Sequence, residues 1–151
     1  MIEQLEGLRS TPRVPRLPAP RSSIVLVAED DASMRRLLTR ALVRDGFRVV
    51  DVSDGAELDA WVARLIERDR DHRCVDLIIA DQRMPSATGL EVLSHLRRVD
   101  WSTPFVLITA FGDTSTHDEA ARLGASCVLD KPFDFGALRE VALKYALPRD
   151  A

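Results

Sequence analysis

Five short apolar runs leave this chain few ways to fold. Each breaks off at an acid, a hydroxyl or a lysine, and each is followed by a stretch with helical character. The first, residues 24–28 (IVLVA), ends at Glu29-Asp30-Asp31. The others cover residues 47–52, 75–80 (ending at Asp81), 105–108 (ending at Thr109) and 126–129 (ending near Lys131). A continuous apolar run as short as 24–28 suits a strand buried on both faces, and residues 47–52, which include Arg48 and Asp51, read as a second strand. Between them, Met34, Leu37, Leu38, Ala41 and Leu42 fall on one helical face, with Asp31 as cap and Gly46 as stop. Asp54 caps a second helix with Leu58, Trp61, Val62, Leu65 and Ile66 on its apolar face. Residues 88–98 carry Leu90, Leu93 and Leu96, residues 118–123 form a helix closed by Gly124, and Asp134 caps a last helix presenting Leu138, Val141, Ala142 and Tyr145. Alternating strands and helices predict a parallel α/β sheet covered on both faces. At 151 residues, there is room for about one such domain.

Ligands of open parallel sheets bind beyond the carboxyl ends of the strands. The predicted occupants of that edge are Glu29, Asp30 and Asp31 from the first strand, Asp81 from the third, Thr109 from the fourth and Lys131 from the fifth. Acids crowded together raise one another's pKa unless a cation intervenes. A hard divalent ion such as Mg²⁺ fits such an oxygen-rich set. Lys131 adds a flexible ammonium, and Thr109 a hydroxyl donor. Together these groups make a site for phosphoryl transfer, with a central carboxylate as nucleophile. Each piece alone has a plainer reading: helix capping for Glu29 and Asp30, a turn for Asp81, a loop for Lys131-Pro132. Jointly the plainer readings require coincidence at one edge.

Composition narrows the alternatives. Lys+Arg is 21 and Asp+Glu is 24, so charge is too balanced for general polyanion binding. No apolar run approaches the ~20 residues that span a bilayer, and no secretory signal is read. Cys74 and Cys127 stand far apart, without zinc or disulfide spacing, which points to a reducing cytoplasm. Residues 1–22 hold four of the eight prolines with interleaved arginines and read as a disordered arm. The segment 68–73 reads as a solvated helix end and loop. His72, His95 and His117 read as surface histidines, and Arg35-Arg36 as a solvated helix face. Only two of the 21 basic residues are lysines, Lys131 and Lys144.

The segments IVLVAEDD (24–31), DLIIADQRMPSATGLEVL (76–93), VLITAFGD (106–113) and GASCVLDKPF (124–133) resemble the receiver domains of two-component response regulators. The resemblance spans roughly residues 23–146. DQRMP, ITAFGD and KPF look most like receivers of the nitrogen-regulation class. The resemblance implies a flavodoxin-like, doubly wound (βα)5 fold with strand order 2-1-3-4-5, over a receiver at 23–147 with a tail at 148–151 and no output domain. It implies that Asp81 is the phosphoacceptor. Asp30 would bind Mg²⁺ directly, Glu29 through water, and the Arg83 backbone carbonyl would be a further ligand. Thr109 would be the switch hydroxyl and Lys131 the phosphoryl-pairing lysine. Pro132 would follow it in a cis peptide, Gly89 would be the tight-packing glycine after the phosphorylation site, and Ala110 the small residue that leaves access to Asp81. Receivers often carry Tyr or Phe three positions before the lysine; here that position is Val128, so no aromatic ring swings there. Side chains at the positions of Arg83 and Phe111 tune dephosphorylation in the family.

The function so implied is a phosphoacceptor switch. A histidine kinase or phosphotransfer protein phosphorylates Asp81 with Mg²⁺, and the last helix-strand-helix face then changes its affinity for a downstream protein. Direct nucleic-acid or membrane binding is not expected, and the chain would be a monomer or weak homodimer. It would not be an enzyme beyond its own phosphoryl transfer and slow autodephosphorylation. A phosphorylation-independent interaction module is the alternative. A dedicated phosphatase of the haloacid-dehalogenase type is disfavoured, because the second acid such enzymes carry two residues after the nucleophile is here Arg83.

Overall fold

Among the described residues, the five predicted strand runs form five strands, separated and followed by five helices. The structure, a computed structural model, describes residues 23–67, 75–100, 102–110 and 113–146. The expected arm at 1–22, the segment 68–73 with His72, and Cys74, Phe111 and the tail at 148–151 lie outside the described residues. The elements are β1 (Ile24–Ala28), α1 (Ala32–Arg44), β2 (Arg48–Val52), α2 (Gly55–Glu67), β3 (Leu77–Asp81), α3 (Gly89–Arg97), β4 (Phe105–Ala110), α4 (Thr114–Arg122), β5 (Cys127–Lys131) and α5 (Phe135–Ala146).

All strand pairs are parallel, and the order is β2-β1-β3-β4-β5, as the resemblance implies. Residue parity sorts the core into two layers, because successive strand side chains point to opposite faces. Val25, Val27, Leu77, Ile79, Val106 and Ile108 pack with Leu38 and Leu42 of α1 and Leu138, Ala142 and Ala146 of α5. On the other face Leu26, Ala28, Ile78, Ala80, Phe105 and Leu107 meet Leu58 and Val62 of α2, Val92, Leu93 and Leu96 of α3, and Ala120 of α4. β3 is buried throughout, as a strand covered on both faces must be, whereas the edge strands β2 and β5 are only partly covered.

The helix ends follow the predicted caps. Asp31 Oδ1 accepts from the amides of Ser33 and Met34, Asp54 Oδ1 from that of Glu57, and Asp134 Oδ1 from that of Ala137. Thr88 and Glu91 form a reciprocal capping box on α3. Gly46 (φ 96°) and Gly124 (φ 80°) close α1 and α4 in the left-handed conformation that glycine adopts freely. In each case two further amides turn back onto the helix: Gly46 to Val43 and Phe47 to Leu42, Gly124 to Ala121 and Ala125 to Ala120.

Two expectations are corrected. α4 begins at Thr114, four residues before the expected start at 118, because Asp113 caps it through the Thr116 amide and hydroxyl. The polar Thr114-Ser115-Thr116 turn carries no apolar periodicity. Leu37, placed on the apolar face of α1, is 48% exposed; Leu38 and Leu42 carry the burial there.

Candidate functional site

The strand order creates the site. β1 connects to β2 on one side, and the chain then returns past β1 to β3 on the other. The carboxyl ends of β1 and β3 therefore flank the crevice of a topological switch point. Glu29 and Asp30 follow β1, and Asp81 ends β3. One carboxylate oxygen from each lies within 4.8 Å of those of the other two. Glu29 is 1% exposed and Asp81 6%, while Asp30 opens to solvent.

Lys131, the last residue of β5, reaches across to this edge. Its Nζ donates to Glu29 Oε1 and to Asp81 Oδ2, each at 3.2 Å. Burial opposes the lysine's charge, but Asp81 and Glu29 together outweigh it and hold the ammonium above its ordinary value. Burial, followed by the Asp81 carboxylate, pushes the Glu29 carboxyl up to about 7, against the pull of Lys131 and the Asp31 amide. One lysine thus leaves the acid cluster under-neutralised. An all-oxygen donor set with surplus negative charge fits a hard divalent cation such as Mg²⁺.

The other sequence-predicted residues lie on β4, on or just after β5, and in the loop and helix that follow β3. Thr109 is 2% exposed on β4, opposite Asp130 in register, and Ala110, opposite Lys131, is exposed. The Lys131–Pro132 peptide is cis. Gly89 opens α3 against β3 and β4: a Cβ there would stand 2.8 Å from the Asp81 carbonyl oxygen and 2.5 Å from Leu107 Cδ1. Arg83 lies two residues beyond Asp81 with its side chain exposed, and its charge helps to lower the Asp113 carboxyl, chiefly lowered by hydrogen bonds from Thr116. Val128 is partly buried and packs against the α2–α3–α4 layer.

Three features were not read from sequence. Arg35, taken as a solvated residue, turns inward: its Nη1 donates to the Glu29 carbonyl at 2.8 Å, and its Nε pairs with Asp51 Oδ2 at 3.2 Å. Its spacing of three and seven residues from Leu38 and Leu42 places it beside their face and distinguishes it from Arg36. His95 is exposed as expected and His117 only partly so, but both have partners that sequence did not show. His117 Nε2 lies 2.6 Å from Asp130 Oδ1, joining α4 to β5, and His95 Nδ1 lies 3.1 Å from Asp59 Oδ1, joining α3 to α2. No short-range pattern announces either pair. Gly55 starts α2 so close to the β3–α3 loop that a Cβ would stand 2.1 Å from the Ala87 carbonyl oxygen.

Comparisons with known proteins agree with this geometry. The family described as "Response regulator receiver domain" matches residues 25–143. Sporulation initiation phosphotransferase F of Bacillus subtilis is 26% identical over 122 residues, covering 80% of this chain and 91% of that protein. The DNA-binding transcriptional regulator NtrC of Azospirillum brasilense is 33% identical over 138 residues, covering 86% of this chain but 27% of its relative. The transcriptional regulatory protein TcrA of Mycobacterium tuberculosis is 33% identical, and 48% of it is covered. The chain thus spans nearly all of the first relative but half or less of the other two. Among solved structures, the chemotaxis response regulator CheY4 of Vibrio cholerae superposes with a TM-score of 0.69 at 26% identity, covering 82% of this chain and 98% of that one. On this match, and on the shared strand order, the chain belongs to the response regulator receiver domain family of two-component signalling.

Proposed function

We propose that the chain is a phosphoacceptor switch in which Asp81 receives a phosphoryl group from the phosphohistidine of a histidine kinase or phosphotransfer protein. The observation that carries this reading is the meeting of Glu29, Asp30, Asp81 and Lys131 at one sheet edge, with Lys131 Nζ 3.2 Å from both buried carboxylates. Glu29, Asp30, Asp81 and the Arg83 carbonyl would hold Mg²⁺. When bound, the ion neutralises charge on the acid cluster and on phosphoryl oxygens. A carboxylate oxygen of Asp81 attacks phosphorus, an O–P bond forms, and the P–N bond to the donor imidazole breaks with the electron pair leaving on nitrogen. Lys131 already touches Asp81 and offers its remaining N–H donors to a phosphoryl oxygen. Thr109, buried on β4, supplies a further hydroxyl donor. The phosphoryl group, carrying about −1.5 to −2 by analogy with other phosphorylated side chains in place of the single charge of the Asp81 carboxylate, draws these two inward and alters the α4–β5–α5 face, where a protein partner reads the state.

The chain has no dedicated enzymatic role beyond accepting and slowly hydrolysing its own phosphoryl group, and it works in the cytoplasm. Among the described residues no helix is long and apolar enough to cross a membrane. The test is mass spectrometry after incubation with Mg²⁺ and a small acyl-phosphate donor. One phosphoryl group per chain is expected, and none for Asp81→Asn. Equal labelling of Asp81→Asn removes Asp81 from the role.

A further inference from the structure

We propose that Arg35, oriented by Asp51, is a positioning residue that holds the backbone carrying the two β1-end acids in place for the cation. The inference rests on the phosphoacceptor reading and adds a residue to it. The peptide joining Glu29 to Asp30 is where the sheet ends and the site begins. The preceding peptide, between Ala28 and Glu29, is fixed by the last sheet bond, Glu29 N–H to the Val52 carbonyl at 3.1 Å. The carbonyl of Glu29 accepts from Arg35 Nη1 at 2.8 Å. A peptide unit is planar, and its six atoms include the Cα atoms on either side. With the peptides on both sides of Glu29 held, the Glu29 Cα–Cβ direction is set and the Asp30 Cα is placed; these two residues supply two of the three converging carboxylates.

The guanidinium is itself held. Its Nε meets Asp51 Oδ2 on β2 at 3.2 Å, and the Arg35 side chain is only 20% exposed. The Arg35 amide donates to the Asp31 carbonyl at 2.8 Å in the first turn of α1. One planar fork thus ties α1, the loop after β1, and β2 together. Lysine has a single nitrogen and cannot span the carbonyl and the carboxylate in the same way.

A sign separates positioning from mere charge. Arg35 is a cation near a cation site, so by Coulomb's law its removal favours Mg²⁺. If its work is to hold the acids, its removal weakens Mg²⁺. The experiment is a Mg²⁺ titration of the full chain without any phosphodonor, followed through the backbone amide NMR shifts of Glu29, Asp30 and Asp81. Arg35→Gln is expected to raise the Mg²⁺ dissociation constant about tenfold, the scale on which groups that orient metal ligands act. Arg35→Lys keeps the charge and is expected to recover only part of that loss. Asp51→Asn, which frees the guanidinium, is expected to weaken Mg²⁺ more in the native background than in the Arg35→Lys background, whereas its simple loss of negative charge acts equally in both. A urea midpoint for each variant separates this from general loss of stability, and if Arg35→Gln does not fold, the other two decide. Equal or tighter Mg²⁺ binding by Arg35→Gln, or full affinity in Arg35→Lys together with an Asp51→Asn effect equal in both backgrounds, overturns the role of Arg35 alone. Failure of the native chain to bind Mg²⁺ overturns the phosphoacceptor reading as well.

Discussion

Glu29→Gln should make the metal-free protein more stable at neutral and alkaline pH, although it removes an ion-pair partner. Glu29 is 1% exposed, and its carboxyl is raised from 4.5 to about 7 by burial and by Asp81. A carboxyl with a raised folded-state pKa favours folding in its protonated form. Its contribution is complete below the unfolded value, near 4.5, and is lost as pH rises through about 7. Linkage over that interval gives a loss of about 2 kcal/mol between about pH 5.5 and pH 8. Glutamine keeps the shape and carries no charge to desolvate. Lys131 retains its contact with Asp81 Oδ2 in the variant.

The assay is urea unfolding of both proteins in chelator across that pH range. The difference between them is the quantity to plot, since every group common to both proteins cancels. The stability of Glu29→Gln relative to the native chain should rise by about 2 kcal/mol from about pH 5.5 to pH 8. Millimolar Mg²⁺ should oppose the trend by stabilising the native chain selectively. A difference that stays flat with pH refutes the claim that Glu29 is a desolvated, under-neutralised acid.

Further outcomes follow from single contacts. Gly55→Ala places a Cβ 2.1 Å from the Ala87 carbonyl oxygen, a backbone atom that cannot rotate away. The variant should lose roughly 2 kcal/mol in urea unfolding, despite a gain of up to about 1 kcal/mol in helix propensity. Ser86, in the loop after β3, has a φ of 76°, so Ser86→Gly should raise the melting temperature, by about 0.5–1 kcal/mol in stability terms. The His117–Asp130 contact is about a third exposed on each side, so a double-mutant cycle with alanine at both positions should return a coupling of about 0.5–1 kcal/mol. Lys131→Met leaves Glu29 and Asp81 without their shared cation. By ordinary charge repulsion it should tighten Mg²⁺ binding in a calorimetric titration while lowering metal-free stability above neutral pH.

What the sequence disclosed depended on the range of the interaction. The buried strands were legible because residues 24–28 and 105–108 are apolar without interruption, and little else shelters such a run. The acids were legible because each stands where a strand run stops. The start of α4 was not, since Asp113 caps a turn of Thr and Ser that bears no periodic signal. Leu37 satisfies helical spacing yet points outward, because the spacing defines an arc and the sheet covers only part of it. The His117–Asp130 pair and the inward turn of Arg35 depend on which elements become neighbours. That is decided by the sheet order, to which neither residue contributes a local pattern.

The two basic residues at this edge show why one chain, otherwise rich in arginine, places a lysine there. Arg35 meets a carbonyl and a carboxylate at fixed angles, and its value lies in not moving: a planar fork with two partners holds a peptide still. Lys131 sits 3.2 Å from each of two carboxylates and is a third exposed, a point charge on a flexible stem with donors left over. A phosphoryl group arriving on Asp81 needs a cation that can give up part of one contact and take another without swinging a rigid plane through the crevice. Arginine at 131 would form a forked pair with one carboxylate and hold it. The prediction is that Lys131→Arg binds Mg²⁺ about as well as the native chain, since the charge is kept, but shows a reduced phosphorylation-induced amide shift at Thr109. A full shift in that variant would mean that charge alone, and not the geometry of the ammonium, is what the site requires of its lysine.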